Sequence, residues 1–169
     1  SFVSNTFAGA NDTIFEFDQG LNTLGMPYRY RVDFYVNGNV FLGSTNVASS
    51  LFLMVTPSDQ TNILTWQAEV PWANYRFIIY RKNELTLQFD SIGFSTTNRY
   101  EDRGLINGTE YCYYVKSIGT YSIGGVADPL YNLSQQACGV PIDLIPPCPP
   151  VLTVKNLCDI PNSAPSEAP

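Results

Sequence analysis

Apolar and polar positions alternate along most of this chain in short runs, the period-2 signature of β-strands. Leu51–Val55 is a brief apolar run that Pro57 is expected to end. In Asn62–Gln67, Ile63, Thr65 and Gln67 fall on one face, with Leu64 and Trp66 on the other. Tyr75–Arg81 alternates Tyr75, Phe77 and Ile79 against Arg76, Ile78 and Tyr80. Leu85–Phe89 sets Leu85, Leu87 and Phe89 on one side. Arg99–Glu101, the aromatic run Glu110–Ser117 and Leu133–Cys138 complete the series. Near the start, Asn37-Gly38 separates Tyr28–Val36 from Asn39–Thr45, and Asn-Gly is the strongest two-residue hairpin signal. No segment sustains a 3.6-residue period, so no helix beyond a single turn is expected and the fold class is all-β.

The chain also repeats itself. Asp18, Gly20 and Leu21 recur as Asp102, Gly104 and Leu105, an offset of 84 residues. One residue is then gained or lost, and Gly25, Tyr28, Tyr30 and Val32 recur as Gly108, Tyr111, Tyr113 and Val115. A period this long is one small domain rather than a solenoid turn. Each copy has an Asp-x-Gly-Leu turn, a second turn at glycine, and then an alternating aromatic strand. In a β-sandwich this pattern precedes strand F, where a tyrosine hydroxyl returns to the backbone a few residues upstream. Tyr28 and Tyr111 are the corner candidates, with Leu21 and Leu105 beside them.

Trp66, the strand Tyr75–Tyr80 and the corner Leu105–Tyr111 together resemble a fibronectin type III domain. The resemblance implies tandem fibronectin type III-like (Ig-like) β-sandwich domains. Residues 49–141 would form one complete domain. Residues 1–48 would hold the last three strands, E, F and G, of a preceding one. Residues 142–169 would be a junction and the opening strand of a following one, marked by Pro146, Pro147, Pro149 and Pro150 and closing in the Pro-rich SAPSEAP.

Composition narrows the partners. Charged residues are 14% of the chain, with nine basic, fifteen acidic and a formal net charge of −6. That balance excludes nucleic acid, because phosphate binding needs clustered Lys and Arg, and it disfavours an anionic membrane surface. No apolar run reaches the length of a membrane-spanning helix, so no membrane insertion is expected in this segment, and the first residues lack a signal-peptide pattern. The chain has no histidine, which removes Ser-His-Asp and Cys-His nucleophilic arrangements. Glu16 with Asp18, or Asp90 with Glu101 and Asp102, offer carboxylates, but at strand ends with nothing to raise a pKa. No phosphate-binding glycine loop occurs. The chain is read as not an enzyme, with no catalytic residue and no cofactor. Asp59, Asp102, Asp128, Asp143 and Asp159 lie singly near turns, without the series that builds a calcium loop, so no metal is expected.

The cysteines are Cys112, Cys138, Cys148 and Cys158. Without histidine or a Cys-x-x-Cys pair, disulfides are the better reading than zinc, and they imply an oxidising compartment. Four cysteines allow three pairings. The runs YCYYVKSIGTYS, NLSQQAC and PPCPPVLTV are similar to repeats in very large surface proteins of Bacteroidota, of the gliding-motility-associated type exported by type IX secretion. That resemblance implies pairs Cys112–Cys138 and Cys148–Cys158 and an extracellular or outer-cell-surface location. Asp12-Thr13-Ile14 and Asp90-Ser91-Ile92 match the Asp-Ser/Thr-apolar pattern of the O-glycosylation system of those bacteria, which makes Thr13 and Ser91 candidate sites on a glycoprotein.

Three functions follow. The leading one is a structural or adhesive repeat, acting as spacer or fibre, whose partners are neighbouring domains of the same polypeptide, surface glycans or other surface proteins. A second is a carbohydrate-binding or accessory module of an extracellular hydrolase, for which Trp72, Tyr121 and Tyr131 are the candidate ligand aromatics, around a loop spanning 119–131. A third is a filament subunit whose first copy is completed by strands from a neighbouring chain.

Overall fold

The computed structural model describes residues 22–36 and 39–151. The protein is all-β, and the described residues contain no helix. Arg29–Tyr30 (β1) pairs with Ala48–Ser49 (β4), and Asp33–Val36 (β2) pairs with Val40–Ser44 (β3). Phe52–Ser58 (β5), Thr61–Gln67 (β6) and Arg99–Arg103 (β9) form a three-stranded antiparallel sheet in the order β5-β6-β9. Ala73–Lys82 (β7), Phe89–Ser95 (β8), Tyr111–Thr120 (β10) and Leu130–Leu133 (β11) form a second sheet in the order β11-β10-β7-β8. Ala137–Gly139 (β12) also pairs with β10.

These two sheets face each other across one core. The smaller sheet and the residue before it contribute Leu51, Leu53, Leu64 and Trp66. The larger contributes Phe77, Ile79, Tyr113 and Val115. Leu64, Ile79, Tyr113 and Val115 are wholly buried. The Trp66 and Phe77 rings meet at 5.2 Å across the interface. Alternation explains this placement, since these core residues on β6, β7 and β10 fall two apart along each strand.

Several elements differ from the sequence-based expectation. Pro57 does not end its strand: β5 runs through it to Ser58. β5 is an edge strand, where a residue without an N–H costs no ladder bond on the open side. The expected strand Leu85–Phe89 is a hairpin loop instead. The Asn83 side chain accepts hydrogen bonds from the backbones of Leu85 and Thr86, and Leu87 takes φ 58°. Leu85 is left 94% exposed. The strand begins only at Phe89 and continues to Ser95. The expected Leu133–Cys138 strand is two pieces, β11 and β12. Between them the Ser134 hydroxyl accepts from the backbone N–H of Val115, and Gln135 turns toward β5.

The segment around β4 is held by side chains as well as by the ladder. Ser49 is buried, its hydroxyl accepts from Glu69 N at 2.7 Å, and its carbonyl accepts from Asn132 Nδ2 at 2.9 Å. In the first segment, β2 and β3 pair as the expected hairpin does, with Val36 opposite Val40. The Asn37-Gly38 turn lies outside the described residues. Tyr30 and Val32, at the repeat positions of the buried Tyr113 and Val115, are 41% and 49% exposed.

Candidate functional site

The core contains a chain of polar groups that crosses between the sheets. Arg81 on β7 donates to Asp102 Oδ2 on β9 at 2.8 Å. The Tyr113 hydroxyl on β10 donates to the same oxygen at 2.9 Å. Asn62 Nδ2 on β6 donates to the Tyr113 hydroxyl at 3.1 Å and to the Gly139 carbonyl on β12 at 3.2 Å. Five strands are thus tied through neutral and charge-assisted bonds in a low-dielectric setting. Burial, with Asp102 close by, pushes the Tyr113 phenol well above its ordinary value, so it stays a neutral donor. Gly139 is needed here, because a Cβ on it would stand 2.5 Å from Val55 Cγ1. From the sequence, Asp102 is a carboxylate lying singly near a turn. It is instead buried and committed to Arg81 and Tyr113.

The two corner tyrosines occupy matching places. The Tyr111 hydroxyl accepts from the backbone N–H of Ile106 at 3.1 Å, and the Tyr28 hydroxyl accepts from that of Asn22 at 2.6 Å. Asn22 and Ile106 are equivalent in the repeat before its one-residue gap, as Tyr28 and Tyr111 are after it. Leu105 is buried beneath the second corner; Leu21 lies outside the described residues. Gly104 and Gly108 take φ 73° and 83°, a left-handed conformation that glycine adopts without a Cβ clash. Replacing Tyr111 by Phe is expected to cost about 1 kcal/mol, the net worth of one hydrogen bond whose backbone partner can turn to water. Urea melts of the variant and the parent measure it. A loss below about 0.3 kcal/mol would mean that the corner adds nothing to stability.

Cys112 and Cys138 stand directly opposite each other on β10 and β12 and form a disulfide, with Cα atoms 4.0 Å apart. Cys148 is exposed, and the expected Cys148–Cys158 bridge falls on Cys158, which lies outside the described residues. The run Pro146–Pro150 holds Cys148 in open chain with no ladder partner to position it. Among the described residues, the one cluster of metal-type donors is Glu110 with Cys112 and Cys138, and both of its sulfurs are joined in the disulfide. Ser91 is exposed on β8, and Thr13 lies outside the described residues.

The three candidate ligand aromatics do not converge. Trp72 and Tyr121 meet edge to face at 5.9 Å, and Trp72 Nε1 donates to Asn74 Oδ1 at 3.1 Å. Tyr131 is in β11 rather than in a loop, because β10 extends to Thr120 and β11 begins at Leu130. It lies on the outer face of the larger sheet, beneath Lys116 Nζ at 4.0 Å. Sequence reasoning missed that face. Tyr80 and Tyr114 are cross-strand partners stacked at 4.5 Å, with Phe89 set edge-on to Tyr114 at 4.9 Å. The signal was present in the alternation, since Arg76, Ile78 and Tyr80 share the face opposite the core.

No family model matches the chain, and no curated protein matches it. Among solved structures it is similar to pectate lyase PelI from Erwinia chrysanthemi in complex with tetragalacturonic acid, at TM-score 0.40 and 16% identity over 53% of this chain and 27% of that one. It is also similar to pectate lyase Pel3 from Pectobacterium carotovorum, at TM-score 0.43 and 18% identity over 59% of this chain and 29% of that one. The chain therefore spans under a third of the length of these structures. The reading of the chain as not an enzyme is corrected by these neighbours, which are enzymes, and it is withdrawn. At these TM-scores the likeness assigns the chain no reaction and no substrate.

Proposed function

We propose that this chain is a stretch of tandem fibronectin type III-like sandwich domains from an exported surface protein, where the domains act as a spacer or adhesive fibre. The observation that carries the reading is the duplicated corner, in which Asn22 with Tyr28 and Ile106 with Tyr111 repeat one hydrogen bond at equivalent positions. The two sheet orders, three strands facing four with a further short strand, support the domain type. The Cys112–Cys138 bridge supports an oxidising destination. Sparse charge suits a module that joins its neighbours in series rather than one that captures nucleic acid.

Thiol trapping tests the destination. Intact cells of the source are treated with an alkylating agent, and the full-length protein is then isolated and mapped. Cys112 and Cys138 should escape alkylation, and an impermeant amine label should modify the protein on unbroken cells. Alkylated Cys112 and Cys138 with no surface labelling would place the protein in a reducing compartment and end the proposal.

A further inference from the structure

The described residues contain eight lysines and arginines, and their ion pairs are unevenly placed. Arg29, Arg31, Arg81, Arg99 and Arg103 each meet a carboxylate. The other three, Arg76, Lys82 and Lys116, form no ion pair among the described residues, and strand alternation puts all three on the outer face of the larger sheet. Arg76 sits opposite Ile118, and Lys116 opposite Ile78. Lys82 follows six residues after Arg76 on β7, about 20 Å along the strand. Two of the three lie over aromatic rings of the same face: the Arg76 guanidinium is 4.4 Å from the Phe94 ring centre, and Lys116 Nζ is 4.0 Å from that of Tyr131. Phe94 and Tyr131 remain 58% and 56% exposed. A shallow depression of about 350 Å³ opens beside Arg76, lined also by Ile78, Ser91 and Phe94. Carboxylates stand only around this surface: Glu110 beside Cys112, Asp128 bonded to Thr120 at the far end, and Glu84 and Asp90 near Lys82.

We infer that this face binds an anionic polysaccharide, with Arg76 and Lys116 meeting its carboxylates or sulfates and Phe94 and Tyr131 offering ring faces to its sugars. In a protein of net charge −6, the unpaired cations of the described residues share one aromatic face, which gives it a local field opposite to the global one. The ligand class follows from the surface itself. An added peptide strand would need the free N–H and C=O groups of a sheet edge, whereas a sheet face offers only side chains. A second copy docked face to face would oppose like charges. Charges and flat rings together suit a polymer that carries both acid groups and apolar sugar faces. The inference goes beyond the spacer reading and holds whether or not the domains are in tandem.

Affinity electrophoresis of the whole chain in gels containing alginate, dextran sulfate or plain dextran tests it. Retardation is expected in alginate, in dextran sulfate or in both, which separates carboxylate from sulfate recognition, and none is expected in dextran. Added salt should weaken it. The double variant Arg76→Glu with Lys116→Glu should raise the apparent Kd at least about tenfold, and Phe94→Ala with Tyr131→Ala should weaken binding while every charge is kept. Circular dichroism melts matching the parent show that both double variants still fold, because all four side chains lie outside the core. No retardation in either anionic gel, equal retardation in dextran, or full retardation of the charge-reversed variant would overturn the inference. So would retardation by polyglutamate with none by alginate or dextran sulfate, which would assign the face to an acidic polypeptide.

Discussion

Replacing Cys112 and Cys138 together by serine, or reducing the bond between them, lowers the unfolding free energy by about 3.5 kcal/mol. The loop that the bond closes has a sequence separation of 26, and the chain-entropy model gives that figure for a loop of this size. The loss is large against the 5–15 kcal/mol of an ordinary domain. It falls on a weak element, since β12 has three residues and pairs only with one end of β10. Freed from the bond, β12 also loosens the Gly139 carbonyl from Asn62, so the damage extends into the core. Urea unfolding with and without reductant measures the effect through the midpoint, and the slope reports any change in the unfolded state. An unchanged midpoint would show that the ladder alone holds β12.

Changing Asp102 to alanine should cost about 2–4 kcal/mol. The carboxylate is buried, with a side-chain exposure of 10%, and its Oδ2 serves both the Arg81 guanidinium and the Tyr113 phenol. Its removal strands a buried hydroxyl and a cation. Arg81 is 33% exposed and recovers part of its hydration, so the cost should stay below that of a fully buried ion pair. Asn at 102 keeps the volume and an acceptor for the phenol, and should cost about 1–2 kcal/mol. The cycle of Asp102→Ala with Tyr113→Phe should show a coupling of at least about 0.5 kcal/mol, because the two groups share one bond. Additive losses, or an Asp102→Ala cost under about 1 kcal/mol, would mean that water already satisfies this oxygen.

The central strands were legible because their apolar alternation reports one buried face: Leu64 and Trp66 on β6, and Phe77 and Ile79 on β7, face the core as their spacing requires. The corners were legible because glycine and tyrosine at fixed offsets have one mechanical use. Leu85 and Leu87 misled, since apolar residues two apart look like a strand even when an asparagine cap folds them into a turn. Pro57 misled in the other direction, because its meaning depends on whether its strand is central or at the edge, which only the pairing decides. The buried roles of Asn62 and Asp102 had no local signal, because each is defined by partners on other strands. The cation-bearing face had a local signal, but its ring contacts are made between strands.

The Gln135 amide spans Leu53 on β5, accepting from its N–H at 3.0 Å and donating to its carbonyl at 2.7 Å. One side chain thereby uses the two backbone groups that an intruding strand would need for its first pairing step. In a polypeptide whose segments resemble one another, the strand most able to intrude is a neighbour's own copy, made moments earlier or later by the same ribosome. With this stretch of edge already bonded, replacing Gln135 by alanine should show less in the folded protein's resistance to denaturant than in the share of chains that reach the folded state without tangling.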